Sequence, residues 1–527
     1  MVKWGVVLGS FLVCAACTHS PPPYSAQQWT VWVESSLTRI QPTDSPQTNT
    51  VAAIQAARNE AEAFQVIVRA PATQMLRNVD VATSDLVGPA TISQSNITCY
   101  REQYVPVHVR SAHPHNRWYA PHPSGQWPDA LIPSGVPGGI YSSFPFVVPA
   151  SHNQPVWIEI YVPQGTPAGT YTGTITVTAD HVAPVTIPLT LTVWDFTLPD
   201  RPALASAFGS YDYSFSIAHQ YSAGSDQSAL KANLYAALRA HRLGVGIADR
   251  TTATTNAMLQ QRAIEVSSDD SDVTLAEIKT LFVDNGWNDG LVVFPVDEPS
   301  TDGQYRAINR LASRFQALGI PLLATIQNST AWTAVNGSVD IWVPVFYECI
   351  SNTAQIRAKL AQGNRVWSYA AGVQPNKAPT WLLDYDLIHY RIPAWLNYSH
   401  GQTGLLYWTT AYWEAGDPWT NAANVSPDTG NGEGVLFYPG DKVGAANAAI
   451  PSLRLKAIRD GVEDYDYLVL LAQLGDPAFA ASLAQALAPT WDRWSHDPTA
   501  LVAARAQAAT RIIALGTGLP TYPNRTR

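Results

Sequence analysis

On either side of Trp194-Asp-Phe-Thr-Leu-Pro199 the chain obeys two different rules of hydrophobic spacing. Before this stretch, short segments alternate apolar and polar residues with a period of two. After it, brief apolar runs alternate with segments whose apolar residues recur every three or four positions. A strand cannot keep the second pattern, nor a helix the first. The switch therefore predicts two domains of different class, which suits a length of 527 residues. We expect an N-terminal β-sandwich over 26–200, then a (β/α)8 barrel with C-terminal helices over 201–527, preceded by a targeting segment over 1–25.

In the first domain, Thr30–Val33, Phe64–Val68, Trp157–Val162, Tyr171–Val177 and Ile187–Val193 read as strands. The last two alternate apolar residues with Thr, as strands buried on one face do. Pro188 has no N–H to give, so its strand is expected to be an edge or paired on one side there. Val107–Phe146 is dense in Pro, Gly, His and aromatics and reads as an ordered loop that includes Trp127–Pro133 and reaches toward the second domain. His108, His113, His115 and His122 lie within it, without helical His spacing or a carboxylate cluster, so no metal site is predicted.

In the second domain eight strands can be counted: Leu204–Gly209, Leu243–Ile247, one between Arg250 and Ser268, Leu291–Val296, Pro321–Ile326, Val339–Phe346, Arg365–Ala370 and Thr403–Thr410. Helices are expected at Gln227–Arg242, Leu275–Val283, Tyr305–Leu318, Leu453–Leu471 and Ala500–Leu515. Eight strands separated by helices over about two hundred residues is the period of an α/β barrel, whose catalytic groups lie at the C-terminal strand ends. The fourth strand ends on two adjacent acids, Asp297 and Glu298. The other strand ends carry Tyr211 and Asp212, Gln327 and Asn328, Tyr347 and Glu348, Tyr369, then Tyr407 and Trp408, with Trp413 and Glu433 further on. This ring of Tyr, Trp, Asn and acids is the predicted lining of a sugar pocket. Arg454, Arg459, Asp460, Glu463 and Asp464 crowd one helix. With Arg459 and Glu463 four apart, a surface salt-bridge face is expected there.

Composition limits the partners. A net charge of -9 gives no basic footprint for nucleic acid or anionic lipid. The 18 Trp and 23 Tyr supply flat faces on which sugar C–H surfaces stack. Lys3 and the apolar Trp4–Val13 form a signal-like segment too short to span a bilayer. Cys14-Ala-Ala-Cys17 is similar to a bacterial lipoprotein box with Cys17 acylated, the alternative being cleavage near Ala16; either places the mature chain in the cell envelope or outside the cell. Cys99 and Cys349 alone remain in the mature chain, which is neither a disulfide framework nor a zinc spacing. No cofactor is expected.

Paired carboxylates at a strand end fit glycosidic bond cleavage, and three layouts are open. A protein nucleophile would have to be Glu348, because the seventh strand end, Trp367–Gly372, carries no acid. An inverting pair would stand further apart. In a substrate-assisted layout the sugar's own 2-acetamido oxygen attacks, one carboxylate orients it and its neighbour protonates the leaving oxygen. Ala57–Gln65, Val162–Gly173, Val296-Asp-Glu-Pro299, Gly404–Trp408, Gly434–Gly440 and Ser452–Tyr467 together resemble glycoside hydrolase family 123. The resemblance covers most of the mature chain. It implies the sandwich and barrel, and β-N-acetylgalactosaminidase-type chemistry by substrate assistance. Carried over, Asp297 orients the acetamido group and Glu298 is the general acid/base. Two alternatives remain: a glycosidase for sugars without an acetamido group, using Glu348, and a glycan-binding lipoprotein without catalysis.

Overall fold

The computed structural model describes residues 29–111, 123–209, 224–245, 264–266, 268–284, 290–372, 374–375, 377–413, 416–423 and 430–516. Cys17, Tyr211, Asp212, His113, His115 and His122 lie outside them.

The first domain is two sheets face to face. One runs in the order Thr30–Ser35, Glu60–Arg69, Asn153–Val162, Ile97–Val107, Gly125–Pro133, all antiparallel. The other is built on Ala52–Arg58, Val185–Thr197, Gly169–Thr178 and Leu76–Thr83. Their inner faces meet through Val31, Phe64, Val66, Val68 and Ile158 on one side and Ile175, Ile187, Leu189 and Leu191 on the other. Val185–Thr197 alternates buried and exposed positions because its outer face is in water, whereas Glu60–Arg69 is buried almost throughout. The reason is that the five-stranded sheet is covered twice, by its partner sheet and by the second domain, against which Ala63, Tyr100, Leu131 and Trp157 pack. Pro188 faces Thr174 on one side, while pairing on the other side begins only at Leu189.

Trp127–Pro133 corrects an expectation: it is a strand, not part of a loop. Two prolines made it look irregular, but it lies at the sheet's edge, and its register slips by one residue between Gln103–Ala130 and Tyr104–Pro128. The edge and the bulge together accommodate a residue without an N–H. Asp129 is the extra residue at that bulge.

In the second domain every strand pairing from Ala205 to Tyr407 is parallel. Ala205–Phe208 pairs with Gly404–Tyr407, which pairs with Ser368–Ala370. Val345 bridges to Tyr369, Ile341–Pro344 pairs with Leu323–Ile326, and Leu322 bridges to Val293. Leu291–Val293 then pairs with Ile264–Val266, and at the far end Phe208 bridges to Val245. The strand positions thus follow one another as 2-1-8-7-6-5-4-3, an arc of parallel neighbours whose two ends border residues outside the description. Ala205, Ala207, Val292, Leu323, Ile341, Val343, Trp367, Tyr369 and Leu406, from six of these strands, form a single interior cluster. Helices Gln227–Ala240, Asp272–Asp284, Asp302–Leu318 and Ile388–Ser399 pack outside. Asp302–Leu318 is set by its ends: Thr301 and Gln304 form a reciprocal cap, and Gly319 closes it with a left-handed φ of 61°. Val339–Phe346 was expected as one strand. It is a strand over Ile341–Pro344 that hands over at once to a short helix, Phe346–Ser351, carrying Tyr347 and Glu348.

The helix Leu453–Gln473 overturns the surface reading of its charges. Arg454, Arg459, Asp460, Glu463 and Asp464 are all buried. Arg459 does lie 3.7 Å from Glu463 and 2.8 Å from Asp460 on the same helix, but the other partners come from elsewhere in the chain, which one sequence cannot reveal. Arg454 forks onto Asp129 at 2.8 to 3.0 Å, and Arg459 and Lys456 hold Glu159 at 2.5 and 2.8 Å. Arg391 takes Asp464 bidentately, and Arg505 from the last helix reaches Glu60 and Glu62. The two cations beside Glu159 hold its carboxyl far below the usual range against the effect of burial. Ionic contacts between the domains are therefore desolvated and unscreened, unlike exposed pairs.

Replacing Arg454 by Met should cost about 3–5 kcal/mol, because Asp129 would stay buried with Tyr438 and an Arg39 nitrogen at 3.6 Å. Calorimetric unfolding checks this. The Asp129→Asn, Arg454→Met pair should recover much of the loss, and a double variant as unstable as the sum would count against the ion pair as the cause.

Candidate active site

The strand Leu291–Val293 runs on in extended form through Val296 and turns at Asp297 and Glu298. Its register with the next strand is fixed by Val293 opposite Leu322. Three residues further along each strand come Val296 and Thr325, so Thr325 sits beside the acids. Its hydroxyl accepts the Glu298 amide at 2.7 Å and donates to Asp297 Oδ1 at 2.9 Å. Glu298 has a φ of 43°, in the left-handed region that costs a side chain of this kind about 1–3 kcal/mol. The turn separates the two carboxyl groups. Asp297 faces Thr325 on the fifth strand, while Glu298 accepts a 2.6 Å bond from the hydroxyl of Tyr369, on the seventh.

Asp297 is open to solvent and Glu298 half-buried, yet protein surrounds both closely enough to raise their pKa values. Groups that are reachable by water and walled on most sides lie in a depression. For Asp297, burial raises the pKa, and the Thr325 hydroxyl and the Glu298 amide pull it back. For Glu298, burial again dominates; Tyr369 lowers the pKa and the neighbouring Asp297 charge raises it. Two donors on one acid, against one donor and a like charge on the other, favour ionising Asp297 first and keeping Glu298 protonated longer. Among the described residues no cation acts on either group, whereas Asp129, Glu159 and Asp464 are each paired with Arg. Among the described residues the pair thus forms no salt bridge, which leaves it able to exchange protons.

The other expected lining residues divide into two groups. Tyr369 and Tyr347 face the pair; the Tyr347 hydroxyl is pushed up to about 12 by burial and by the charges of Glu348 and Glu298, and it donates to the Gln327 carbonyl at 3.2 Å. Glu348 turns back along its helix to the Asn352 amide and registers in the field of neither acid. Asn328 ties the loops together: it donates to the Pro299 carbonyl at 2.9 Å and accepts from the Ala331 amide and the Tyr305 hydroxyl. Tyr407 and Trp413 do not line a surface at all. Both are fully buried, with the Tyr407 hydroxyl accepting the Gly434 amide and the Trp413 indole donating to the Phe437 carbonyl. These aromatics pack the core, a role that residue type alone cannot separate from binding. Thr325, central to the geometry, was not singled out from sequence; a hydroxyl inside an apolar strand end was the available signal.

Two family models match the chain: the glycoside hydrolase 123 N-terminal domain over residues 32–179, and the glycoside hydrolase 123 catalytic domain over residues 208–471, half of the chain. The chain belongs to glycoside hydrolase family 123. A family 123 glycoside hydrolase from Clostridium perfringens, studied for glycolipid glycan hydrolysis, superimposes with a TM-score of 0.67 at 14% identity, covering 93% of this chain and 98% of that one. A family 39 glycoside hydrolase from Bacteroides cellulosilyticus overlaps far less, with a TM-score of 0.28 at 9% identity over 79% of this chain and 82% of that one. No curated protein is significantly similar in sequence. As a family 123 member the protein is a glycoside hydrolase, with a mixed architecture of a β-rich domain followed by an α/β domain.

In this family 123 chain the eighth strand contributes Trp408, half-exposed and 5.0 Å from the Tyr412 ring. Its indole donates to Glu433 Oε1 at 2.7 Å. Glu433 is buried between Gly432 and Gly434, which have φ of 75° and 68°. A Cβ at Gly432 would strike the Arg454 guanidinium, and one at Gly434 the Trp408 ring, so the acid is held where a side chain on either flank would not fit. Burial pushes Glu433 up to about 7, against the Gly372 amide, the Trp408 indole and Arg454. One indole 15N–1H resonance should therefore titrate with a midpoint near pH 7, and Glu433→Gln should abolish that titration; a Trp408 signal insensitive to pH would contradict the coupling.

Proposed function

We propose that the protein is a retaining β-N-acetylhexosaminidase, N-acetylgalactosaminidase-like, that acts by substrate assistance on envelope or extracellular glycans. The observation that carries this reading is the adjacent acid pair whose carboxyls are held by different strands through hydroxyl donors. Glu298, kept protonated by burial and by the Asp297 charge, gives its proton to the glycosidic oxygen as the bond to the anomeric carbon breaks. The sugar's own acetamido oxygen attacks that carbon from the opposite face, forming an oxazolinium ion that keeps the N–H. Asp297, ionised first, orients the acetamido N–H and balances the positive charge that develops on the group. Glu298, now a carboxylate, then takes a proton from the water that opens the ring, and two inversions give net retention. Tyr369, Tyr347 and Trp408 are proposed to wall the sugar, with Tyr211 and Asp212 from the first strand end. The eight strand positions are proposed to close into a complete (β/α)8 barrel. The glycolipid glycan of the Clostridium perfringens relative supports a glycan substrate of this kind. An N-terminal lipid on Cys17 would hold the enzyme at the envelope.

Glu348 weighs against the alternative of a protein nucleophile, since it is bonded to Asn352 and does not perturb Glu298. Glu298→Gln should lower kcat on natural glycosides by about 10²- to 10⁴-fold, while Glu348→Gln should retain turnover within roughly tenfold. Asp297→Asn should lose more on natural glycosides than on activated aryl substrates. Steady-state kinetics on both substrate types checks this. A loss in Glu348→Gln equal to that in Glu298→Gln would move the nucleophile to Glu348.

A further inference from the structure

Thr325 is the polar exception in its strand. Leu323, Ala324 and Ile326 around it are buried and apolar, and Thr325 itself is 1% exposed. A hydroxyl has one proton to give. Here it goes to Asp297 Oδ1, while the oxygen accepts the Glu298 amide, so one atom contacts both acid residues at 2.9 and 2.7 Å. The first bond needs an acceptor on Asp297, which the carboxylate provides. The second fixes the amide of a residue whose φ of 43° is otherwise unfavourable. Without it, Glu298 is free to relax toward a negative φ, and its carboxyl would swing away from Tyr369.

We propose that Thr325 is the positioning residue of the acid pair, its single hydroxyl holding Asp297 as an acceptor and locking the Glu298 turn, so that the two carboxyls keep separate roles. This rests on the function proposed above and deepens it. The titratable groups that face the pair among the described residues are Tyr369, bonded to Glu298, and Tyr347, which also faces Glu348. None of them contacts Asp297 as Thr325 does. Because the Thr325 bond lowers the Asp297 pKa, its removal raises it. If the ionised form is required, the acid limb of the pH–rate profile then moves to higher pH.

The test uses the full chain with Thr325→Val, which keeps the shape and removes the hydroxyl, and Thr325→Ser, which keeps the hydroxyl. An aryl β-N-acetylhexosaminide is the substrate, with kcat, KM and the kcat/KM pH profile measured for each and calorimetry reporting folding. Thr325→Val should lower kcat on the order of 10²-fold, as small misplacements of catalytic groups do, with KM changed far less and the acid limb shifted to higher pH. Thr325→Ser should restore both the rate and the limb. Wild-type kcat and pH limb in Thr325→Val, or equal impairment in Val and Ser, would overturn the proposal. If Thr325→Val does not fold, Thr325→Ala carries the same expectation for the limb. Glu298→Gln on a natural glycoside, whose leaving group needs the acid, separates the two levels. An active Glu298→Gln removes the function reading itself, whereas an inactive one beside an unaffected Thr325→Val removes only the role of Thr325.

Discussion

The contact between Arg454 and Asp129 links three parts of the molecule through one guanidinium. Asp129 is the residue left without a cross-strand partner where the edge strand of the sandwich bulges. Arg454 forks onto it and, with its remaining N–H groups, binds the carbonyls of Gly432 and Val435. Those carbonyls straddle Glu433, whose carboxyl receives the Trp408 indole. A bulge in a strand of the first domain is thus linked through Arg454 and Glu433 to the Trp408 ring of the second. Buried ion pairs add little net stability over well-packed apolar contacts, but they are costly to break and tolerate few geometries. Here several of them along a single helix join the β-rich domain to the α/β domain.

The acid pair contrasts with this network in a way that explains both. Asp129, Glu159 and Asp464 in that network are each matched with an arginine, and the cations beside Glu159 hold its carboxyl far below the usual range. Asp297 and Glu298 receive only hydroxyl and amide donors from the described residues. Such donors bias an ionisation without fixing it. Burial supplies the opposing bias, and the difference in donors between the two neighbours sets the order in which they lose protons. Two of the chain's 41 acidic residues are thus kept chemically available where, among the described residues, no cation approaches the strand end.

How far the sequence could be read follows from where each residue's partners lie. The fourth strand and its acids were legible because an apolar run and the two residues after it are local facts. The clean Thr alternation of Gly169–Thr178 and Val185–Thr197 gave the outer sheet for the same reason. The charged helix was misread, since Arg459 and Glu463 have the same i, i+4 spacing whether water or a sheet faces them. The decisive partner of Arg459, Glu159, is 300 positions away. Trp127–Pro133 was taken for a loop because its prolines are tolerated only through an edge and a bulge, both properties of the neighbouring strand. Tyr407 and Trp413 resembled pocket residues because an aromatic ring at a strand end serves either core or ligand. Thr325 escaped notice because Thr is an ordinary strand former, and its importance depends on the register between two strands.

The central claim, that the substrate's acetamido oxygen performs the attack beside Asp297 and Glu298, is tested most directly by weakening that oxygen alone. Aryl β-glycosides bearing N-acetyl, N-fluoroacetyl, N-difluoroacetyl and N-trifluoroacetyl groups keep the sugar and leaving group constant while the amide carbonyl loses nucleophilicity step by step. The account predicts that kcat/KM falls steeply with each added fluorine. A rate that stays flat across the series, with a glycosyl group trapped on Glu348, would contradict it.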